Sequence, residues 1–124
     1  MTKEDELKNA LEGLKNVSGV VGSAVVTSDG LLIYSDLPES VNKRALAAMA
    51  AAIVGTGMQV TKELAIGMLN QVMVEAKEGR FISISVGNEE EAPILSTLIS
   101  PKANLGLVML EMEKAAKKIQ RIME

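Results

Sequence analysis

The chain has 124 residues, a net charge of −3, no cysteine, no histidine, and 2% aromatic residues within a hydrophobic fraction of 48%. Without cysteine and histidine it lacks disulfides, thiol chemistry, the commonest general base and the commonest transition-metal ligand, so the sequence predicts no catalytic, cofactor-binding or metal-binding residue. The acidic balance argues against a nucleic-acid partner, because affinity for phosphate backbones comes mainly from clustered lysine and arginine.

The N-terminal segment predicts an amphipathic helix from about Thr2 to Asn16. Thr2 is a suitable N-cap, and acidic residues follow in the first turn, where the helix dipole favours negative charge. The same segment carries charges where an export signal would have its apolar region, so we expect a cytoplasmic location. The apolar stripe of this helix consists of Leu7, Ala10, Leu11 and Leu14.

A β-hairpin is predicted after this helix. Residues 20–27 are rich in β-branched side chains, which favour a strand. Ser28, Asp29 and Gly30 provide turn residues, and an Asp-Gly pair between apolar runs indicates a hairpin. Residues 31–35, with the sequence LLIYS, complete the hairpin as its second strand.

A long helix is expected after Pro38, with Ser40 or Asn42 as its N-cap. No charged residue occurs from Ala45 to Thr61, and eight of these seventeen positions are alanine or glycine. The glycines, threonines and glutamine leave this segment short of the about 20 strongly apolar residues of a membrane span, so no membrane insertion is expected. At about 100° per residue, one set of positions falls within about 40° of a single line and forms a stripe that can lie on a sheet. This stripe consists of Leu46, Met49, Ala50, Ile53, Gly57, Val60 and Leu64.

The opposite side of this helix carries small or neutral residues, where an isolated globular domain would usually place lysine and glutamate. One interpretation is that alanine merely favours helix formation. However, Gly55 and Gly57 each cost about 1 kcal/mol in a helix interior, which helix propensity does not explain. Small residues about four positions apart let a second helix approach closely, and a second copy related by a two-fold axis is the simplest partner. This small-residue side consists of Ala48, Ala51, Ala52, Gly55, Met58 and Gln59.

The C-terminal half predicts three strands and a closing helix. Residues 70–76 alternate in polarity and are expected to form a half-buried strand. After a turn, residues 81–86 alternate again, and residues 94–99 form a short apolar run between two prolines. The last helix is expected from about Lys102. Its stripe consists of Leu105, Val108, Met109, Met112, Ala116, Ile119 and Met123.

The element order is therefore α-β-β-α-β-β-β-α, an α+β arrangement in one domain that spans residues 1–124. This ordered set resembles the Roadblock/LC7 superfamily, which includes the Roadblock dynein light chains, the bacterial MglB polarity regulators and archaeal relatives. The resemblance implies a profilin-like Roadblock fold, with a five-stranded antiparallel sheet between one long helix and two terminal helices. The segments that carry it are LKNALEGLKNVSGVVGSAVVTSDGLLIYS, the alanine-rich helix, LNQVMVEAKEGRFISISVG and ANLGLVMLEMEKAAKKI.

The resemblance also implies a dimer in which the two long helices lie side by side and the third strands pair into one continuous sheet. On this chain the implied interface covers residues 47–62 and 70–75. It agrees with the small-residue side of the helix. The candidate interface residues are Ala47, Ala48, Ala51, Ala52, Gly55, Met58, Gln59, Lys62, Asn70, Val72 and Val74.

Proteins of this superfamily are platforms for Ras-like small GTPases, so the resemblance implies a non-enzymatic homodimer that scaffolds such a GTPase or stimulates its hydrolysis. No catalytic residue comes with the fold, and stimulation would act by orienting the residues and switch loops of the GTPase itself. Two alternatives stay open. One is a structural adaptor that forms a heterodimer with another Roadblock-type subunit. The other is a PAS-like or profilin-like small-molecule sensor, which the near absence of aromatic, histidine or cysteine anchors disfavours.

Overall fold

The computed structural model describes residues 1–124, and its centre is a five-stranded antiparallel sheet. The strand order is β2-β1-β5-β4-β3, so β2 and β3 form the two edges of the sheet. The predicted fold class is confirmed. In chain order the elements are α1 (Lys3–Ala10), α2 (Glu12–Lys15), β1 (Val20–Val26), β2 (Leu32–Asp36), α3 (Lys43–Glu63), β3 (Val72–Ala76), β4 (Gly79–Ser85), β5 (Ile94–Ile99) and α4 (Leu105–Met123).

Helices cover both faces of the sheet. Successive side chains of a strand point to opposite faces, so Val25 and Leu95 pack under α1, α2 and α4, whereas Val26 and Ile94 pack under α3. The core on the terminal-helix face contains 16 buried residues, and the core on the α3 face contains seven. The layer formed by α3 is therefore the thinner one.

The N-terminal helix begins as predicted but is interrupted. Thr2 Oγ1 accepts a hydrogen bond from the Asp5 N–H at 3.1 Å, and the Asp5 carboxylate accepts one from the Thr2 N–H at 3.2 Å, which is a capping box. The expected continuous helix is wrong at Leu11, whose N–H is shared between two carbonyl oxygens, as is common at helix ends. Gly13 follows, and glycine weakens a helix interior. The predicted apolar stripe of Leu7, Ala10, Leu11 and Leu14 is buried.

The strands agree with prediction except at their ends. The Asp-Gly turn is confirmed, with Gly30 at φ +90°, a conformation that glycine adopts without steric cost. The turn between β3 and β4 is tighter than expected, because Ala76 pairs with Gly79 and β4 therefore begins two residues early. The fifth strand spans residues 94–99, as predicted.

The two long helices both have an asparagine N-cap. Asn42 Oδ1 accepts a hydrogen bond from the Ala45 N–H at 3.0 Å, which confirms Asn42 rather than Ser40 as the cap of α3. Asn104 Oδ1 accepts one from the Leu107 N–H at 3.1 Å, so α4 begins at Leu105, three residues later than expected from Lys102. Most of the predicted α4 stripe packs on the sheet, with Ala115 as an additional buried residue.

The orientation of α3 about its own axis differs from the prediction by roughly 70° at 100° per residue. Met49, Val60 and Leu64 were expected in the core and are instead 58%, 47% and 62% exposed. Ala47 and Val54, which lie outside the predicted stripe, are buried against the sheet instead, in a core that also contains Ala24 and Ala50. Short side chains on both sides let the helix lie close to the sheet, and the larger side chains turn outward. The residues of α3 that are buried are Leu46, Ala47, Ala50 and Val54.

The expectation that α3 is too short and too polar for a membrane span is wrong by the criteria of length and composition. The helix has 21 residues and an 18-residue window with a mean hydropathy of 1.2, which meets the requirement for crossing a membrane. In the fold, 22% of this window is buried, and this buried side packs on the sheet.

Candidate partner interface

The surface of α3 that points away from the sheet is uncharged over most of its length. We define the outer face of α3 as its exposed residues between Arg44 and Lys62. Arg44 and Lys62 bracket the face, and neither lysine nor glutamate lies between them. A helix face without charge is unusual on a surface that meets water. The outer face consists of Ala48, Met49, Ala52, Gly55, Thr56, Gln59 and Val60.

The two glycines of α3 have different surroundings. A Cβ on Gly57 would lie 2.8 Å from Cγ2 of Val72 and 3.0 Å from a methyl carbon of Leu69, so this glycine lets the start of β3 pack against the helix. A Cβ on Gly55 would have no heavy atom within 4 Å. Glycine in a helix interior costs about 1 kcal/mol relative to alanine. The chain itself explains this cost at Gly57 but not at Gly55.

β3 is an edge strand that is exposed on both faces. Val72 is half-buried because it packs against Gly57, but Met73 is 38% exposed and Val74 is 49% exposed. The expected half-buried strand is therefore wrong beyond Val72, because the strand order places β3 at the margin of the area that α3 covers. Its outer edge carries backbone groups without a strand neighbour, which is a template for pairing with another chain.

The connection between α3 and β3 is also apolar and exposed. Leu64, Ile66 and Met68 are 62%, 66% and 64% exposed. Ala65, the second residue of the connection, has φ +52°. Its N–H donates to the Lys62 carbonyl oxygen, and the Ile66 N–H donates to the Thr61 carbonyl oxygen. These are the two hydrogen bonds of a Schellman helix end, a position at which glycine is usual. Sequence reasoning missed Ile66 and Met68, although three large apolar residues in a non-periodic segment are a usable signal.

The predicted interface residues fall into three groups. Ala47 is 1% exposed and packs in the core under α3, so it cannot contact a partner, and the prediction for this residue is corrected. Ala51, Met58 and Val72 are half-buried. The exposed group consists of Ala48, Ala52, Gly55, Gln59, Lys62, Asn70 and Val74.

Two side-chain contacts lie at the C-terminal end of α3. Gln59 Nε2 donates to a carboxylate oxygen of Glu63 at 3.2 Å. Lys62 Nζ lies 3.0 Å from a carboxylate oxygen of Glu90 in the β4–β5 connection, and both side chains are exposed. An exposed pair of this kind contributes little to stability, so its charges are free to contact a partner.

The structure shows no reactive constellation near this surface. No group of three or more histidine, cysteine, aspartate or glutamate side chains is placed to hold a metal ion. The one clearly shifted pKa belongs to Tyr34 on β2, at the opposite edge of the sheet, and burial raises it above its ordinary value, with the Asp36 carboxylate adding to the effect. The surface formed by α3 and β3 is thus suited to contact another protein by shape and apolar area.

Comparison with known proteins agrees with this fold. A model of the Roadblock/LC7 domain matches residues 6–91. Uncharacterized protein MJ1340 of Methanocaldococcus jannaschii is 38% identical over 107 residues, which cover 86% of this chain and 90% of the relative. The same archaeon holds three further uncharacterized relatives, which are 30%, 36% and 38% identical.

Solved structures share the fold at low sequence identity. Myxococcus xanthus MglB has a TM-score of 0.87 at 18% identity, and the match covers 99% of this chain and 91% of MglB. The Roadblock/LC7 domain from Streptomyces avermitilis has a TM-score of 0.84 at 16% identity, with 97% and 96% covered. Because the family model spans residues 6–91 and the archaeal relative is similar across most of both chains, this chain belongs to the Roadblock/LC7 family.

Proposed function

We propose that this protein is a homodimeric, non-enzymatic regulator or scaffold for a Ras-like small GTPase. The observation that carries the proposal is the uncharged outer face of α3 together with the free edge of β3. Family membership and the likeness of the fold to MglB support the same function.

In the proposed dimer, two copies pair through β3 and place their α3 helices side by side. Pairing of identical edge strands around a two-fold axis is antiparallel, which matches the existing sheet and extends it across both copies. The open space at Gly55 lets the second helix approach, and Met73 and Val74 lose their exposure. The interface proposed for the chain consists of Ala48, Ala51, Ala52, Gly55, Met58, Gln59, Lys62, Asn70, Val72 and Val74.

The paired helices would form the platform for the GTPase. Met49, Thr56 and Val60 belong to the outer face but lie outside the proposed helix contact, so each helix would present them as an uncharged surface, and the Met49 side chains supply adaptable apolar contacts. No reactive constellation accompanies this surface. Stimulation of hydrolysis would therefore work by holding the switch loops and catalytic residues of the GTPase in their active arrangement.

The test is binding of purified Ras-like GTPases from the same genome, each loaded with GTP or GDP, with phosphate release followed in parallel. We expect nucleotide-dependent binding that Gly55→Glu abolishes. Leu110→Glu is the matched control, because Leu110 is 48% exposed on α4, on the opposite face of the sheet. Equal binding of both nucleotide states, or no binding of any GTPase, would contradict the proposal. Binding without a change in hydrolysis rate would identify a scaffold rather than an activator.

The second candidate is an adaptor that forms a heterodimer with another Roadblock-type subunit. The observation that favours it is the presence of four related chains in one archaeon, which offers several potential partners to each. Refolding this chain in a mixture with a Roadblock-type relative from its own genome, followed by native mass spectrometry, separates the two candidates. Homodimers in clear excess over the half expected from random pairing support the homodimer, and nearly complete heterodimer formation supports the adaptor.

A further inference from the structure

The side of α4 that points away from the sheet carries a pattern of its own. Five exposed residues follow one another at intervals of three, four, three and four, which is the spacing of one contact line along a helix. The line is about 21 Å long at 1.5 Å per residue, or roughly four turns. We define these residues as the outer ridge of α4. The outer ridge consists of Leu107, Leu110, Lys114, Lys117 and Arg121.

The first half of the outer ridge is apolar. Leu107 is 43% exposed and Leu110 is 48% exposed. Neither belongs to the core on this face of the sheet, to which α4 contributes Val108, Met112 and Ile119 from its opposite side. A single exposed leucine is ordinary, but two leucines one turn apart form a small apolar surface against which a partner can pack.

The second half of the outer ridge is basic. Lys114 Nζ lies 3.3 Å from a carboxylate oxygen of Glu111, whereas Lys117, Arg121 and the neighbouring Lys118 make no ion pair within the chain. The helix dipole favours Arg121, which is the basic residue of the last turn. Because this effect falls off within one turn, it does not explain Lys114 and Lys117. Positive charge is therefore concentrated here in a chain whose net charge is −3.

No acidic residue interrupts the outer ridge. Glu111 and Glu113 each lie about 80° from its mean direction at 100° per residue, one on either side. Glu111 lies beside Gly13 of α2, and Met123 shares a groove with Glu4 of α1. The two N-terminal helices thus run antiparallel to α4 along one of its sides. They leave the outer ridge uncovered.

We propose that the outer ridge of α4 binds a helix of a partner protein that has carboxylates in its N-terminal half and leucines in its C-terminal half. The carboxylates would face the three cations of the ridge, and the leucines would pack on Leu107 and Leu110. Charge complementarity selects an acidic partner. Acidic side chains are favoured at a helix N-terminus, so the partner helix lies antiparallel to α4 with this end beside Arg121. Helix recognition of this kind uses anchors three and four residues apart.

Two other occupants fit the outer ridge less well. A second copy bound through the same ridge would place leucines against cations in the antiparallel direction and cations against cations in the parallel one. A helix that lies on a membrane has its cations on a polar face, away from the apolar side that enters the lipid. Here the leucines and the cations share one line. Both occupants are outcomes of the test below.

This contact is independent of the surface formed by α3 and β3, because α4 and α3 cover opposite faces of the sheet. The full chain with Gly55→Glu is expected to bind the partner helix as the wild type does. Failure of the dimer or of GTPase binding is therefore distinguishable from failure of the contact at α4.

The test is an NMR titration of the isotopically labelled full chain with a capped helical peptide of about 15 residues, the length of the ridge. The peptide carries glutamate in its first half and leucine in its second half at intervals of three and four, with alanine and glutamine elsewhere. We expect saturable shifts at the amides of residues 107–121 and weaker binding at high salt. A matched peptide with lysine in place of glutamate should bind at least ~5-fold more weakly.

A third peptide, in which the leucine half precedes the glutamate half, tests the direction of binding. It matches the ridge only when it is parallel to α4, with its glutamates at the unfavourable C-terminal end of the peptide helix. We expect it to bind at least ~2-fold more weakly than the first peptide. Equal or tighter binding would overturn the antiparallel arrangement.

Protein variants locate the site. The double change Lys117→Gln and Arg121→Gln should weaken binding of the glutamate peptide by ~3- to 10-fold. Leu110→Ala should weaken it by a similar factor of ~3 to 10, through lost apolar burial. Lys77→Gln is the matched control, because Lys77 is an exposed cation in the turn between β3 and β4, and it should leave binding unchanged.

Four results would overturn the assignment. Two are the absence of saturable shifts at residues 107–121 and equal binding of the glutamate and lysine peptides. The third is tighter binding to vesicles of phosphatidylserine and phosphatidylcholine in equal parts than to the glutamate peptide, which would identify a membrane surface. The fourth is a dimer of the Gly55→Glu chain that Leu110→Glu dissociates, which would identify a second copy as the occupant.

Discussion

The two faces of the sheet differ in the size of the core that the chain builds on each of them. Under α1, α2 and α4 a core of 16 buried residues is closed, and α4 places Val108, Met112 and Ile119 in its centre. Under α3 the core has seven buried residues, and the opposite side of α3 is an uncharged surface that the chain itself does not cover. The chain alone therefore buries the apolar surface between the sheet and its terminal helices. The uncharged outer face of α3 would be buried only if another molecule covers it.

The largest expected effect tests the closed face. Ile119 is fully buried, so Ile119→Ala should lower the free energy of unfolding by about 2–5 kcal/mol, through lost apolar contacts and the cavity that remains. Met49→Ala, measured in the Gly55→Glu background so that no dimer contributes, should change it by less than about 0.5 kcal/mol. Urea unfolding measures both. A similar loss for the two variants would mean that Met49 is packed within the chain and that the two faces do not differ.

The next effect tests the open face. Gly55→Glu places a carboxylate in the proposed helix contact, and burying a charge without a partner should raise the Kd of the dimer by at least ~100-fold. The monomer should stay folded and gain up to about 1 kcal/mol, because glutamate is the better helix former and the position has open space. Sedimentation velocity with far-UV circular dichroism follows both quantities. Loss of the circular dichroism signal together with dissociation would contradict an interface between monomers that fold on their own.

A smaller effect compares how the two long helices begin. Asn42→Ala and Asn104→Ala each remove an N-cap hydrogen bond, at 3.0 and 3.1 Å respectively, and each should cost about 1 kcal/mol. Thermal unfolding of both variants at one protein concentration provides the measurement. A loss for Asn104→Ala without any loss for Asn42→Ala would indicate that the first turn of α3 is not formed in solution.

The smallest expected effect is a gain at the end of α3. Ala65 has φ +52°, where a side chain is strained and glycine is not. Ala65→Gly should therefore raise the free energy of unfolding by about 0.5 kcal/mol, the relief of strain exceeding the added freedom of the unfolded chain. Denaturant unfolding of the variant beside wild type gives the value. A decrease would show that the helix does not end in this conformation.

Local signals were sufficient to predict most of the fold from the sequence. The capping residues Thr2 and Asn42 and the Asp-Gly turn each act through their own neighbours, so the residues near them carry the information. The fifth strand was bounded by prolines on both sides. The uncharged run from Ala45 to Thr61 likewise indicates that the exposed side of the helix lacks charge. It does not indicate which residues of the run form that side.

Features set by tertiary packing could not be predicted in this way. A stripe chosen by helical period placed Met49 inside and Ala47 outside, whereas the sheet under α3 presents Ala24 and leaves room there for Ala47 rather than for a long side chain. The exposure of β3 depends on its position in the strand order, which periodicity does not contain. Leu64 likewise follows the helical period of α3, but it lies beyond the last residue of the helix and is exposed.

The central claim is that a second copy covers the small residues of the outer face of α3, and the mass of the wild-type protein in solution tests it most directly. Sedimentation equilibrium at micromolar concentration should give twice the chain mass of 13.2 kDa. A mass of 13.2 kDa at that concentration would contradict the account, because the uncharged face and the edge of β3 would then be exposed to water in the functional protein.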